Sequence, residues 1–366
     1  MLSLRCSQNR KKWFAGLVLI WVCSVVVPSV RAVILFGTDD PTVNTTAPTG
    51  SLTGSGWQWT GTWGAFLGTA VAPNYFLTVQ HIGGSILDVY RYRGVDYRAI
   101  KFFDDTESDL RLVQVAGILP DFAPLQARPD EFGAEVVVMG RGTRRGSPVM
   151  APTGTSFAPK GWKWGEDDAV QRWGRNRVSA LIRNGATDFL VMKFDATEGP
   201  DEAHLSRGDS GGPLFIQDGI FWRLAGVNFA SEGEYSFSSI GPGFLAAVFD
   251  EGGLYKGPGP NWQRVSDLFF DLPGRFFSIR ISSRLDWIRS VTGAVVPVPA
   301  TLPTVQSSFL PEGPYTDRSD AAFSDSARLI TLPAGTVAEY FRLKSVAPAR
   351  ISAVQVRNGT VTLAYE

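Results

Sequence analysis

Cysteine is nearly missing from this chain: the two present, Cys6 and Cys23, both lie within the first 32 residues. Everything after Ala32 therefore folds without disulfides, and thiol nucleophiles, cysteine-ligated zinc and iron–sulfur clusters are excluded there. Histidine is just as scarce, with His81 and His204 the only two. That is too few for a histidine-built metal centre, so neither a metal nor an organic cofactor is expected. Excess charge of either sign is absent, since 35 Lys and Arg face 35 Asp and Glu, which argues against a nucleic-acid partner. An apolar run of membrane-spanning length is missing as well. The longest, Trp13 to Val27, has fifteen residues, where a spanning helix needs about 20.

That short run has a different use. Arg5, Arg10, Lys11 and Lys12 precede it, and Pro28-Ser29-Val30-Arg31-Ala32 follows it with small residues near its end, the layout of a secretory signal peptide over residues 1–32. Cleavage after Ala32 removes five basic and no acidic residues from 35 of each, leaving a net charge of −5. The expected destination is secreted or periplasmic, with no membrane span left. At 44% apolar and 19% charged residues, the chain has the composition to bury a core that needs no disulfides.

What the chain has in quantity is glycine (39), proline (23) and phenylalanine (24). Apolar runs of strand length recur at 64–72, 75–79, 87–92, 112–116, 135–139, 189–194, 213–216, 221–229 and 244–249. Almost every gap between them holds Gly, Pro, Asp or Asn, which punctuate strands. The pattern predicts an all-β body over residues 55–293, closed by one helix over 284–291. Ser283 is its expected cap, Leu285, Ile288 and Val291 its apolar face, and Gly293 its stop. Residues 33–54 read as an N-terminal arm with one strand-like piece, Val33 to Phe36. Five prolines between Ala294 and Pro314 predict an extended linker over 294–314. Residues 315–366 read as a small C-terminal β module with a hairpin signal at Asn358-Gly359, expected to contact the body or a cell-surface partner.

The chemistry-bearing segment is Gly208-Asp209-Ser210-Gly211-Gly212-Pro213. Three glycines around one hydroxyl cost backbone entropy, and make sense where the main chain turns tightly with its N–H groups aimed at a ligand. Such amides, from Gly208 and Ser210, are suited to stabilise the oxyanion formed when a hydroxyl attacks a carbonyl. A serine hydroxyl needs a base, held in turn by a carboxylate. His81, after the apolar run Tyr75 to Val79, and Asp109, before Leu110 and Leu112, supply both, with Asp104 and Asp105 as nearby competitors for the carboxylate role.

Leu77-Thr78-Val79-Gln80-His81, Ser108-Asp109-Leu110-Arg111-Leu112 and Gly208 to Pro213 resemble the histidine, aspartate and serine motifs of the chymotrypsin/trypsin-like serine proteases. The chain order His, Asp, Ser agrees. Gly68-Thr69, Leu224 to Val227 and Leu285-Asp286-Trp287-Ile288 extend the likeness over roughly 55–293, as a secreted, disulfide-free variety. The resemblance implies two antiparallel six-stranded β-barrels with a C-terminal helix and the catalytic residues His81, Asp109 and Ser210 in the cleft between them. It implies an oxyanion hole from Gly208 and Ser210, and a serine endopeptidase acting on protein or peptide substrates through an acyl-enzyme. The alternative is a catalytically silent barrel pair used for binding or adhesion.

Several positions depart from the family pattern. Val79-Gln80 stands where two small residues are usual, and Ile82 where a disulfide cysteine is common. His204, six residues before Ser210, resembles the floor of the specificity pocket and disfavours an Arg or Lys preference; Asn228, Phe229 and Ser231 are the other expected pocket residues. The family counterpart of Asp209 pairs with a buried positive group. A terminus at Val33 could supply that group by insertion, or Val33 to Phe36 could add a surface strand while a side chain or water satisfies Asp209. Gly140-Arg141-Gly142-Thr143 lacks the strand-to-helix setting of a nucleotide loop.

Overall fold

The computed structural model describes residues 33–153, 156–167, 169–293, 304–318, 320–324, 329–335, 338–344, 350–357 and 359–365. The signal-peptide segment and residues 294–303 of the expected linker lie outside these.

Two closed antiparallel barrels of six strands each form the body, as the motif resemblance implied. Around the first run Thr60–Trp63, Phe66–Ala72, Tyr75–Val79, Leu110–Val115, Val95–Asp104 and Val89–Tyr92, the last pairing back to the first. Around the second run Arg172–Asn184, Thr187–Lys193, Arg275–Arg280, Phe221–Ser231, Pro213–Asp218 and Glu135–Gly140.

Why some strands carry apolar residues on both faces follows from this packing. In Tyr75–Val79, Phe76 fills the first barrel with Tyr90, Tyr92 and Val113. Its neighbours Leu77 and Val79 face the other way, into a shared core between the barrels with Val137, Phe215, Val227 and Ile279. In Glu135–Gly140, Val136 and Val138 point into the second barrel, while Val137 and Met139 join the shared core. Strands covered on both faces lose the polar alternation of a half-exposed strand. The same shared core receives Leu285 and Ile288 of the helix Leu285–Thr292.

That helix starts one residue later than expected, and Ser283 does not cap it. Arg284 holds the cap position, and the Ser283 hydroxyl donates backward to Arg280 O at 3.1 Å. Gly293 ends it as expected, its N–H donating to Arg289 O at 2.9 Å.

The sequence pattern missed the strands Val95–Asp104, Arg172–Asn184, Thr143–Thr153 and Ser156–Asp167. Arg172–Asn184 escapes because Arg175 and Arg177 point outward to Glu135 on the neighbouring strand, so charge breaks up its apolar signal. Thr143–Thr153 and Ser156–Asp167 make a long hairpin outside the barrels, joined by Ala246–Val248. Its core is Val149, Ala151, Tyr235 and Leu254.

The N-terminal arm is not a surface appendage. Ile34–Leu35 pairs with Ala203–His204, Val33 and Leu35 enter the second barrel's core, and Val33, Ile34 and Leu35 are 3%, 0% and 4% exposed. Phe36 sits among Trp162, Phe194 and Phe249. The Arg145 guanidinium lies 3.5 Å over Trp162 and donates to Phe36 O at 2.9 Å.

Part of the expected linker is also ordered structure. Thr304–Ser308 is a strand paired with Tyr340–Lys344, so the C-terminal module begins ahead of residue 315. Prolines at 303 and 311 bracket this five-residue strand and leave its own amides free to pair. Ile351–Arg357 and Thr360–Tyr365 form the hairpin. Val305, Ile330, Leu332, Val361 and Leu363 make a core of the module's own, and Leu329 rests on the body at the Gly219 turn.

One buried carboxyl beside the arm sets a pH-dependent term in stability. Glu202 Oε1 accepts from Asn176 Nδ2 at 2.7 Å and from Asp195 N at 3.3 Å, and burial pushes its pKa up to about 9. The folded chain therefore holds this proton where the unfolded chain has released it, and stability falls as pH rises from the ordinary carboxylate range towards 9. Glu202→Gln, which keeps the shape without the proton, should melt close to wild type near pH 5 and increasingly above it as pH rises to 9. A constant difference in melting temperature across that range would refute the assignment.

Candidate active site

His81 lies two residues beyond the strand Tyr75–Val79, Asp109 directly precedes Leu110–Val115, and these strands pair with Val79 opposite Leu110. Register therefore sets Gln80 opposite Asp109, its N–H donating to Asp109 O at 2.7 Å, and leaves His81 one residue further on, beside the Asp109 side chain. Asp109 Oδ2 is hydrogen-bonded to His81 Nδ1, and His81 Nε2 lies 2.8 Å from Ser210 Oγ, which the second barrel supplies just before Pro213–Asp218. The competing carboxylates are occupied elsewhere. Asp104 binds Arg111 at 2.6 Å and Asp105 binds Arg284 at 2.6 Å.

The loop before Ser210 is built around the buried Asp209 carboxylate. Oδ1 accepts from Gly142 N at 2.7 Å and Val33 N at 3.5 Å; Oδ2 accepts from Ser206 N at 2.7 Å and Ser206 Oγ at 3.0 Å. Burial pushes Asp209 up to about 6, and these donors pull it back only in part. Space here is tight: a Cβ on Gly140 would sit 2.0 Å from Asp209 Oδ1. Gly208 takes φ +95° and would place a Cβ 2.8 Å from Gly142 Cα, so both the turn and the close approach require glycine. The Gly140-Arg141-Gly142 segment, which carried no assignment in the sequence, is thus the wall that shapes this loop. Two close glycines at a strand end were its only signal.

Within the loop, Asp209 N, Gly211 N and Gly212 N donate to Ser206, Asn228 and Asp209 carbonyls. Among the described residues, the amides of Gly208 and Ser210 have no protein acceptor. They are the two donors expected for an oxyanion.

Of the four expected pocket residues, Phe229 lies beside His81, the two ring centroids 5.7 Å apart and the rings edge-on. His204 is not at the floor of an open pocket. It is 1% exposed between Phe194 and Phe276, with Nδ1 2.6 Å from Leu205 O, and burial depresses its pKa to about 4. A neutral imidazole packed among aromatics is core, and it lies there because the arm strand covers Ala203–His204. Asn228 is also interior: Nδ2 donates to Met139 O at 2.8 Å and Asp209 O at 3.3 Å, and Oδ1 accepts from Ser278 Oγ at 3.1 Å. It braces the loop from behind. Ser231 ends its strand opposite Phe276.

Two open clefts carry lining residues from these loops. One, of about 390 Å³, is lined by Trp63, Phe66, Ile82 and Val89; the other, of about 500 Å³, by Lys163, Trp164, Arg207, Glu234 and Phe244.

No family model matches this chain, and no curated protein matches it. Solved structures do. HBP at atomic resolution covers 68% of this chain and 96% of its own at 15% identity and TM-score 0.40. A point mutant of human heparin binding protein (CAP37) covers 68% and 97% at 16% identity and TM-score 0.40. Neuropsin, a serine protease expressed in the limbic system of mouse brain, covers 68% and 96% at 14% identity and TM-score 0.38. Likeness at this level carries no argument about activity. The two closed antiparallel barrels themselves place the chain in the chymotrypsin-like fold class.

Proposed function

We propose that this protein is an exported serine endopeptidase that hydrolyses peptide bonds through Ser210, His81 and Asp109. The observation that carries the reading is the single line of contacts from Ser210 Oγ to His81 Nε2 at 2.8 Å and from His81 Nδ1 to Asp109, beside two amides without acceptors. His81 takes the Ser210 proton as Oγ attacks the substrate carbonyl. Asp109 holds the ring with its proton on Nδ1 and stabilises the imidazolium. The Gly208 and Ser210 amides receive the oxyanion, a contribution worth about 3–4 kcal/mol per donor. His81 then protonates the leaving amine, and water repeats the sequence on the acyl-enzyme.

Labelling of Ser210 by a fluorophosphonate separates this reading from a silent barrel pair. Stoichiometric labelling, abolished by prior denaturation, supports it; an unlabelled Ser210 in folded protein overturns it.

The C-terminal module has its own core and supplies no residue to the triad, so we assign it a positioning or retaining role towards a surface partner. A chain ending at Gly293 should therefore hydrolyse small peptide esters with kcat within about twofold of the full chain. Insolubility or loss of activity would make the module part of the enzyme's core. Export rests on residues 1–32, and mass spectrometry of the mature protein should find Val33 at its start.

A further inference from the structure

Gln80 is the residue immediately before His81, and it is bonded to the Asp109 loop by both backbone and side chain. Its N–H donates to Asp109 O at 2.7 Å. Its half-buried Nε2 lies among three more carbonyls of that loop, Asp105 O at 2.8 Å, Ser108 O at 2.9 Å and Leu110 O at 3.1 Å. A side-chain amide has two hydrogens, so three acceptors at these distances require one to be shared. The acceptors flank Asp109 on both sides. From the opposite direction Arg284, at the head of the closing helix, donates Nε and Nη2 to the Asp105 carboxylate at 2.7 and 2.6 Å and Nη1 to Glu107 at 2.6 Å.

The Asp109 loop is thus held between the residue before His81 and the residue before the helix. The carboxylate and the ring it meets are not held by burial, since their side chains are 23% and 41% exposed. We propose that Gln80 is a positioning residue that fixes the Asp109 carboxylate against His81 Nδ1. This inference rests on the triad reading given above. Because Gln80 is covalently next to His81, a shift of the loop relative to Gln80 is a shift of Asp109 relative to the ring. Misplacement by about 1 Å costs up to a hundredfold in rate.

Gln80→Met and Gln80→Glu keep the length of the side chain and remove its donors. An ionised Glu also sets an acceptor among three acceptors. Each should lower kcat on a peptide ester about 10- to 100-fold with KM unchanged, and should weaken or abolish the deshielded proton resonance of His81 Nδ1–H in the NMR spectrum. Gln80→Ala, which leaves room for water at the carbonyls, should fall between these and wild type. A folded Gln80→Met chain with kcat within twofold of wild type and an intact resonance overturns the proposal. If Gln80→Met fails to fold, Gln80→Ala decides by the same resonance: loss supports positioning and retention refutes it. If the wild type hydrolyses nothing, the triad reading fails on its own. Gln80 is then still judged by whether its removal abolishes the Nδ1 proton signal.

Discussion

Ser210→Ala is expected to lower kcat on a peptide ester by about 10⁶-fold and to leave folding and melting temperature near those of wild type. Ser210 Oγ has one protein partner among the described residues, His81 Nε2. Removing the hydroxyl therefore leaves no buried group without a bond, except for an imidazole nitrogen that solvent reaches. The loop itself is held by Asp209 and Asn228, whose bonds the substitution does not touch. Residual acceleration over water should persist, because the Gly208 and Ser210 amides remain in place. Hydrolysis retained at wild-type rates by the alanine chain would remove Ser210 from the mechanism. A wild type that neither hydrolyses esters nor reacts with a fluorophosphonate would leave the silent barrel pair as the reading.

The second large effect concerns the arm. A chain beginning at Val33 should exceed one beginning with an extra Ala before Val33 by about 10²-fold in kcat, the scale of losing an oxyanion donor. Val33 N points at Asp209 Oδ1 from 3.5 Å inside the protein, so a free terminus there puts an ammonium against a carboxylate that burial has pushed up to about 6. The ion pair pulls that carboxyl down and keeps it charged, with Gly142 and Ser206 donating to it. With the extra Ala, only an amide faces Asp209 and the raised pKa persists. Proton uptake then favours the folded state at low pH, and stability falls as pH rises from about 4 through about 6. The chain starting at Val33 should show less of this decline. Equal activity and equal pH dependence in the two chains, with both termini verified by mass spectrometry, would return the arm to the role of a covering strand.

The meeting of Ser210, His81 and Asp109 was legible because its signals are local. Glycines crowd around Ser210, and His81 and Asp109 each adjoin an apolar run that became a strand. Choosing Asp109 over Asp104 and Asp105 took the motif resemblance, and the structure supplies the reason in the pairing of Val79 with Leu110. The pocket residues were not legible in the same way. His204 lies six residues from Ser210 in sequence, yet the arm strand, about 170 residues away in the chain, closes over it and makes it core. Asn228 looked like a wall of a pocket and is a brace, because its amide meets Met139 on another strand and Asp209 in the loop before Ser210.

The sequence by itself determined the all-β class, the order His, Asp, Ser, most of the apolar runs that form barrel strands and the pairing of Ile351–Arg357 with Thr360–Tyr365. Each follows from residues close together in the chain, through hydrophobic period and turn chemistry. Only the tertiary structure decided that Arg172–Asn184 is a barrel strand, that Thr304–Ser308 belongs to the C-terminal module, that Val33 reaches Asp209, and that Gln80 grips the Asp109 loop. Those outcomes depend on partners far away in the chain, and a charged or proline-flanked segment shows its place only when the strand or carbonyl it pairs with is beside it.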